Sequence, residues 1–450
     1  MARAVMALAL LAACAPERQL PFIAAPKPAS PELAAAVPAG HTGYDNSSLA
    51  QLFTELTHGL EWGPSRPNLV RFETPVRVSL TGPGSAAYTG FLDRYLDLIR
   101  GRARVDIARR IEAANLHIRF VEGPRFRRLL PTISCLLAPG DLSWSAFAAD
   151  PDRLGGRALQ QAPAISAMTI FIPQTAPPYL IRSCLIEEVA QALGPANDLY
   201  GLGPSIFNDD AAHIWPTALD LLMLRVLYDP SLTTGLGRAE TERRAGAVLA
   251  RINPAGQGAA PLRISAASGL GPWRTRHNRI FSKASSDRGA EASARAALTL
   301  AEREAPGSAL HCHSQRTLGR VLAGMGKAGA LPVLREAASL CALVHGPGDI
   351  RLSLIALEQA LALLRRGSYR STIETLSPHQ DRLAELGQEE RLAALLTLRA
   401  RAHEGAGNRG QAAADAAQAA RWRAYAYGAD SRVGRGAVPE ARQAAQEEQG

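Results

Sequence analysis

Residues 183–210, SCLIEEVAQALGPANDLYGLGPSIFNDD, decide how the first half of this 450-residue chain folds. Apolar residues recur there at helical spacing until Gly194 and Pro195, which form a usual helix stop. Because residues four positions apart lie one above the other on a helix, the pattern predicts one face that carries both Glu187 and Gln191.

The same stretch resembles the active-site helix of a zinc peptidase without its zinc ligands. In zincins this helix carries H-E-x-x-H, in which two histidines bind zinc and the glutamate acts on the metal-bound water. Here the same frame holds Glu187, Glu188 and Gln191. The spacing is kept, and every expected histidine is replaced.

The resemblance to the longer metzincin pattern continues beyond the helix. Gly194 stands where that pattern turns, and Asn197 stands at the position of the third ligand. Residues 205–207 (Ser-Ile-Phe) occupy the place of the turn that closes the metzincin site, and Pro216–Tyr228 resembles the last helix. The motif positions that follow from this comparison are Glu187, Glu188, Gln191, Gly194, Asn197, Asp198, Ser205 and Phe207.

The chain resembles a bacterial family catalogued as domain of unknown function 2927, through the strings CLIEEVAQALG, ND, SIFND and a helix that ends in LYDP. Members of this family are often lipoproteins, resemble zincins in fold, carry E-E-x-x-Q in place of the histidines, and have no assigned activity. The resemblance covers residues 45 to about 253. It implies a zincin-like α+β fold and leaves the reaction open.

Length and charge bound the class of protein. At 450 residues the chain is expected to form two or three folded units. The net charge of +9 comes almost wholly from arginine, since lysine occurs only at positions 27, 283 and 327. The arginines are scattered, whereas a nucleic-acid-binding surface needs clustered basic residues. We therefore expect no nucleic-acid partner and attribute the charge to a coding bias toward arginine.

The N-terminus is typical of a bacterial lipoprotein signal. Met1–Arg3 supply positive charge, Ala4–Ala13 form an apolar run too short to span a bilayer, and LAAC ending at Cys14 resembles a lipobox. The prediction is a lipidated Cys14, and Ala15 after it favours the outer membrane on its periplasmic side. The alternative is an N-terminal hydrophobic helix of a cytoplasmic protein.

Four cysteines lie in the exported part of the chain, where an oxidising compartment favours disulfides. Cys135 and Cys184 both fall in the zincin-like unit, and Cys312 and Cys341 both fall in the helical region. An antiparallel helix pair joined at Gly326 would place Cys312 opposite Cys341. Of the three connectivities we predict 135–184 with 312–341, with buried free thiols as the alternative.

The elements before the motif helix favour an α+β domain. A further apolar run, Ile165–Ile172, directly precedes that helix. In zincins this strand is the edge strand that pairs with extended substrate, so the resemblance implies that a peptide can bind here by strand addition. The other predicted elements are helices over 47–60, capped by Ser47 or Ser48, and 88–101, and strands over 75–81 and 117–121.

The region 284–428 is predicted to be all helix and contains a repeat. Its helical runs, among them 308–325 and 329–343, resemble degenerate tetratricopeptide repeats, which usually bind protein or peptide on a concave face. A plain helical bundle is the alternative. Glycine turns recur about 40 residues apart, at Gly326, Gly367 and Gly407.

These patterns divide the chain into six parts, each of which carries a composition typical of its role. The parts are a signal peptide (1–14), a Pro/Ala-rich tether (15–44), a zincin-like α+β domain (45–253), a linker (254–283), tetratricopeptide-like all-α repeats (284–428) and a flexible tail (429–450).

The motif residues set limits on the chemistry. Glu187 can coordinate a metal, whereas the amides of Gln191 and Asn197 are weak zinc ligands. With Asp198 they form an oxygen-only set that suits Ca²⁺ or Mg²⁺ better. We expect no cofactor; if a divalent metal ion binds, Glu187, Gln191 and Asn197 are its ligands. His213 is the nearest histidine in sequence, and a structural role is expected for it.

Two functions follow. The first is a non-catalytic lipoprotein that binds a protein or peptide partner in the periplasm. The second is a metal-dependent peptidase or hydrolase that uses Glu188 as general base beside an unusual metal site. A motif whose side chains converge on an open cleft favours the second function, and a filled site favours the first.

Overall fold

The computed structural model describes residues 44–60, 65–131, 133–200, 202–208, 210, 212–261, 271–282 and 285–428. The predicted signal peptide, lipidation site Cys14, tether up to residue 43, and tail lie outside these residues. An α/β region comes first and an all-helical region follows.

The α/β region contains five strands and nine helices within the described residues. The strands are β1 (Val76–Thr81), β2 (Ile107–Arg109), β3 (Leu116–Val121), β4 (Leu136–Pro139) and β5 (Met168–Pro173). The helices are α1 (Asn46–His58), α2 (Thr89–Leu98), α3 (Gly123–Leu129), α4 (Trp144–Ala149), α5 (Pro151–Leu154), α6 (Gly156–Gln161), α7 (Pro178–Ala192), α8 (Ala218–Leu227) and α9 (Arg238–Ile252).

The five strands form one mixed sheet in the order β2-β1-β3-β5-β4. All neighbouring pairs are parallel except β4 with β5, which is antiparallel. Parallel strands need helical crossovers, and α2 supplies one between β1 and β2. The domain predicted as α+β thus has a mostly parallel sheet.

The prediction that the strand before the motif helix is an edge strand is wrong. β5 pairs with β3 on one side and with β4 on the other, so it is internal. All six of its residues are buried, because α7 covers one face and an aromatic cluster around Phe147 covers the other. A continuous apolar run such as MTIFIP is typical of a strand buried on both faces. The edge strand on this side is the four-residue β4.

Two other local predictions need correction. Asp45, not Ser47 or Ser48, caps α1, and its carboxylate accepts the backbone N–H groups of both serines at 3.0 Å. Residues 88–101 are not one regular helix: α2 ends at Leu98, and one π-helical turn, Ile99–Ala103, follows.

The helical region contains α10 (Gly271–Phe281), α11 (Asp287–Glu304), α12 (Ala309–Gly324), α13 (Ala330–His345), α14 (Ile350–Arg365), α15 (Tyr369–Leu376), α16 (Gln380–Glu385), α17 (Glu389–Gly405) and α18 (Arg409–Tyr427). Helix α10 falls within the predicted linker 254–283. Its Trp273 is 2 % exposed, because the apolar face of α10 packs against α11 and α12. The second half of that segment therefore belongs to the helical region.

Three helix pairs repeat along this region: α12 with α13, α14 with α15, and α17 with α18. Each pair turns at one of the predicted glycines, with φ +68° at Gly326, +70° at Gly367 and +80° at Gly407. Glycine occupies this left-handed conformation without a Cβ penalty. The predicted helix pairs are therefore present.

Both predicted disulfides are present. Cys135 bonds to Cys184 with Cα atoms 6.0 Å apart, and Cys312 bonds to Cys341 at 5.1 Å. The first bridge joins the start of β4 to α7. The second joins the start of α12 to the end of α13, as the antiparallel pair requires.

Candidate functional site

The motif helix α7 follows β5 and ends at a turn that requires glycine. Gly194 has φ +143°, and a Cβ there would collide with the Leu227 side chain and the Val70 carbonyl oxygen. Its own carbonyl oxygen accepts a hydrogen bond from Arg66 Nη1 at 3.3 Å. After this turn, Asp198 lies beside α7 and Asn197 lies beside α1.

The polar motif residues after this turn bond to protein groups. Gln191 Nε2 donates to Asp198 Oδ2 at 2.9 Å, which closes the loop after the helix. Asn197 Nδ2 donates to the carbonyl oxygen of Glu55 at 2.9 Å and therefore binds the end of α1. Asn197 and Asp198 are each 5 % exposed. These contacts turn the two neighbouring residues toward different elements.

The two glutamates of the motif differ in burial. Glu188, the proposed general base, is 8 % exposed, whereas Glu187 is partly exposed. Glu187 lies near enough to Tyr95 that its charge, after burial and the charge of Asp220, raises the pKa of the Tyr95 hydroxyl. That hydroxyl donates to the carbonyl oxygen of Ile186 at 2.7 Å and fixes the middle of α7 to α2.

The Ser-Ile-Phe turn is organised by a buried carboxylate that the sequence comparison did not select. Asp220 Oδ1 accepts the Ser205 hydroxyl at 2.5 Å, and Oδ2 accepts the backbone N–H groups of Ile206 at 3.1 Å and Thr217 at 2.7 Å. The Phe207 N–H donates to Ser205 Oγ at 2.9 Å. Burial raises the pKa of Asp220 despite these hydrogen bonds. A capping-box pattern, Thr217-x-x-Asp220, was the signal that could have identified it.

The end of α8 also holds the motif helix. The Tyr228 hydroxyl donates to the carbonyl oxygen of Leu193 at 3.0 Å, and burial raises the pKa of that hydroxyl. The middle and the end of the motif helix are thus held by the hydroxyls of Tyr95 and Tyr228. The two hydroxyls fix the backbone of α7 and the residue after it, and both tyrosines are neutral at any ordinary pH.

The amides of the proposed metal ligands bond to different parts of the protein. Within the described ranges, no group of three His, Cys, Asp or Glu side chains is placed to hold a metal ion. Gln191 is bonded to Asp198, and Asn197 is bonded to α1, so the amides of the proposed set Glu187, Gln191 and Asn197 are directed apart. His213 Nε2 lies 3.9 Å from Oδ2 of Asp349, the N-cap residue of α14.

The segment after the motif crosses into the helical region. We call the described residues of this stretch, 200, 202–208, 210 and 212–215, the crossing segment. Arg351 of α14 donates through Nε to Asp210 Oδ2 at 2.7 Å, and both side chains are 3 % exposed. Burial alone would raise the pKa of Asp210, but the charge of Arg351, together with His313, His213 and the Ala212 N–H group, holds that pKa below its usual value. Sequence carried no signal for this pair, because its partners are far apart in the chain.

The motif helix itself is also bound to the helical region. Arg182 Nε donates to Glu389 Oε1 at 2.8 Å, and its Nη2 donates to the carbonyl oxygen of Tyr425 at 3.1 Å. The Arg182 guanidinium lies 4.1 Å from the centre of the Tyr425 ring. Both regions therefore meet at α7 and at the crossing segment.

Fold and site define a two-part protein in which a mostly parallel α/β domain with an E-E-x-x-Q helix is packed against paired helices. The family model described as "Protein of unknown function (DUF2927)" matches residues 46–245. The match covers the α/β domain through most of α9 and agrees with the resemblance found in the sequence. No curated protein and no solved structure matches the chain.

The helices of the described part of the chain differ from membrane-spanning helices. Among those residues, no helix combines the length and the apolar character needed to cross a bilayer. The predicted lipid attachment at Cys14 lies outside them.

Proposed function

We propose that this protein is an exported lipoprotein that binds an extended segment of a protein partner in the periplasm, and that its zincin-like domain is non-catalytic. The lipobox ending at Cys14 and the tether to residue 44 support attachment to the outer membrane. The family match supports a domain type without assigned chemistry.

The observation that carries the proposal is that the side-chain amides of the motif are hydrogen-bonded to other groups of the protein. Gln191 and Asn197 occupy the positions of two zinc ligands, yet their N–H groups bond to Asp198 and to the Glu55 carbonyl oxygen. Both residues stabilise the loop after α7 in this way. A bound metal would hold this part of the chain and also activate water. The two amide side chains do only the first.

The zincin-like assignment is supported by the spacing of Glu187, Glu188, Gln191 and Gly194 on and after α7, whereas the position of the edge strand differs from the expected one. The motif helix follows an internal strand, and the antiparallel edge strand β4 is bonded to that helix through Cys135–Cys184. This bridge keeps the edge strand and the helix in fixed register. Extended peptides bind at such an edge by strand addition, through main-chain hydrogen bonds.

The tetratricopeptide-like assignment is supported by the three helix pairs with glycine turns. Such arrays bury each pair against the next and present a continuous face to a partner. A two-part protein of this kind offers one strand edge and one helical face for binding. The scattered arginines give no reason to invoke nucleic acid.

Metal content tests the non-catalytic part of the proposal. We expect the purified full chain and a Glu187→Ala/Gln191→Ala variant to contain equally little metal by mass spectrometry, with both folded by circular dichroism. Near-stoichiometric metal that disappears in the variant would instead support a hydrolase with Glu188 as general base.

Site-specific crosslinking tests the binding part. A photoreactive residue at Pro139, in β4, should capture a partner in cells, and one at Ile111, which is 68 % exposed beyond the opposite edge strand, should not. Equal capture at both positions, or none at Pro139, would contradict binding at β4.

A further inference from the structure

The crossing segment contacts the first helix of every helix pair. Its residues meet α10 and α12 at Tyr200, α14 at Asp210, and α17 at Ala212. Helices α12, α14 and α17 are the first members of the three pairs that turn at Gly326, Gly367 and Gly407. One stretch of the α/β domain thus follows a common face of the helical array.

The segment begins with a buried aromatic anchor. The Tyr200 ring is 3 % exposed, lies 4.8 Å from Trp273 between ring centres, and is 5.9 Å from His313 of α12. Ala297 and Leu310 complete the apolar pocket around it. Aromatic rings that fill such pockets supply a large share of binding energy at interfaces.

The middle of the segment is held by one arginine. Besides its bond to Asp210, Arg351 directs Nη2 toward the carbonyl oxygens of Leu202 and Gly203 at 3.5 and 3.4 Å. Its Nη1 donates to Asp349 at 3.1 Å, which orients the guanidinium. Arg351 therefore recognises both a carboxylate and a main-chain turn of the segment.

The end of the segment is held through its backbone. The carbonyl oxygen of Ala212 accepts hydrogen bonds from Gln388 Nε2 at 3.2 Å and from Arg391 Nη1 at 3.1 Å. Trp215 packs on Gly387, where a side chain would collide with the indole. Contacts to main-chain oxygen do not depend on the identity of the bound residue.

We infer that the face formed by α12, α14 and α17 is a peptide-binding groove that the chain's own crossing segment occupies in this structure. The contacts state what the groove recognises: main-chain carbonyls along its length, an aromatic ring at one end and a carboxylate at Arg351. The partner is an extended peptide with an aromatic residue followed, at the spacing of Tyr200 and Asp210, by an acidic residue. This inference rests on the proposed role in partner binding and adds a binding site in the helical region to the one proposed at the β4 edge.

A partner can bind in the groove only if it displaces the crossing segment. A segment joined to its groove competes at an effective concentration that can reach the millimolar range. A partner must displace it, and displacement would release the loop that follows the motif helix. The groove is therefore a site whose affinity depends on how firmly Asp210 and Tyr200 are held.

The test uses two changes at the same ion pair in the full chain. A fluorescent synthetic peptide with the sequence of residues 198–216 is titrated by anisotropy against wild type, Asp210→Asn and Arg351→Gln. The first change weakens the internal ligand and leaves the groove intact, so the peptide should bind at least about ten-fold tighter than to wild type. The second weakens the internal ligand and also removes the groove's anchor, so binding should not improve.

Two controls separate this result from loss of folding. Tyr200→Ala and Trp273→Ala repeat the comparison at the aromatic anchor, with tighter binding expected only for Tyr200→Ala. A peptide that carries Asp210→Asn should bind the Asp210→Asn protein more weakly than the unchanged peptide does. Circular dichroism verifies that each variant is folded. If the two variants of one pair, Asp210→Asn with Arg351→Gln or Tyr200→Ala with Trp273→Ala, change the affinity for the peptide alike, the contacts are a fixed domain interface and the inference fails. Crosslinking at Pro139 concerns the β4 edge and not the groove. It therefore tests the proposed function even if the inference about the groove fails.

Discussion

Arg351 and Asp210, 141 positions apart in the chain, form an ion pair at 2.7 Å in which both side chains are almost fully buried. Asp349 shares the guanidinium, also through buried atoms. The pair joins the loop after the motif helix to the helical region, so it is one of the contacts that make the two regions a unit.

Breaking the Arg351–Asp210 ion pair should lower the stability of the fold. Arg351→Met leaves two buried carboxylates without their cation, and we expect a loss of about 3–5 kcal/mol in the free energy of unfolding. Urea denaturation at pH 7.5 measures it. Arg370→Met, at an ion pair whose arginine is 92 % exposed, is the matched control and should change stability by less than about 0.5 kcal/mol. Equal effects of the two changes would contradict the buried pair.

The carboxylate beneath the Ser-Ile-Phe turn gives a second prediction. Asp220→Ala leaves the N–H groups of Ile206 and Thr217 without their acceptor, and we expect a loss of about 3 kcal/mol. Asp220→Asn keeps one acceptor oxygen and should cost less. Asp106→Asn, at a side chain that is 66 % exposed, serves as the control. Thermal and urea unfolding should rank the three variants in that order; any other order refutes the assigned role.

A close helix contact provides the third prediction. Gly319 of α12 packs against Leu334 of α13, and a Cβ at Gly319 would overlap the leucine side chain. Gly319→Ala should therefore destabilise the chain by about 1–3 kcal/mol, although alanine is the better helix former. Gly329→Ala is the control, because no atom lies within 4 Å of the Cβ position there. A neutral Gly319→Ala would mean that the two helices are farther apart than described.

Buried histidines predict how stability depends on pH. Burial lowers the pKa of His313 and of His345 to about 4 from the usual 6.5, and lowers that of His277 well below 6.5. The unfolded chain therefore binds more protons than the folded chain between about pH 6.5 and 4, so stability is full above 6.5 and falls as the pH drops through that window. His313 and His345 can each contribute up to roughly 3 kcal/mol.

Urea midpoints measured from pH 7.5 to 4.5 check this dependence. A His345→Asn variant should show a shallower fall than wild type, because asparagine does not take up a proton. The carboxylates Asp210 and Asp349 have lowered pKa values in the fold, with Arg351 as the main favourable partner of Asp210 and His213 as that of Asp349. They add a separate loss only below about pH 3.8. A flat profile between pH 6.5 and 4.5 would count against the buried, neutral histidines.

The disulfides give the last prediction. A Cys312→Ala/Cys341→Ala double variant should lose about 2–4 kcal/mol, since the bridge closes a loop between residues 29 positions apart. Differential scanning calorimetry would show it as a lower midpoint. Ser339→Ala, at an exposed position near the end of α13, should leave the midpoint unchanged. An unchanged midpoint in the double variant would contradict the bridge.

Local signals in the sequence explain which parts of the fold could be predicted. The motif helix, its glycine stop and the helix pairs follow from periodicity and from turns that only a few residues form, such as those at Gly326 and Gly367. The disulfides were predicted because each pair of cysteines falls in one predicted unit, with the helix pair at Gly326 as further support for the second bridge. The order of strands does not follow from such signals. A short apolar run has the same appearance at an edge and in the middle of a sheet, so β5 was assigned to the wrong place and β4 was missed.

The candidate site shows the same division. Spacing selected Gln191, Asn197 and Ser205, but their partners are a backbone oxygen of α1 and side chains across the turn, which depend on the tertiary fold. Arg351 could not be selected, because nothing near it in sequence requires a buried cation. Long-range electrostatic partners become visible only when the chain is folded.

The path of the crossing segment has a consequence for cooperativity. In an ordinary helical array each repeat contacts only its neighbours, so terminal pairs can unfold independently of the rest. Here a single stretch spans α12, α14 and α17, and Arg182 adds a bond from α7 to the last pair. Opening one pair must therefore break contacts shared with the others. The array and the α/β domain should melt in one transition, with no partly unfolded intermediate in which the last helices have separated.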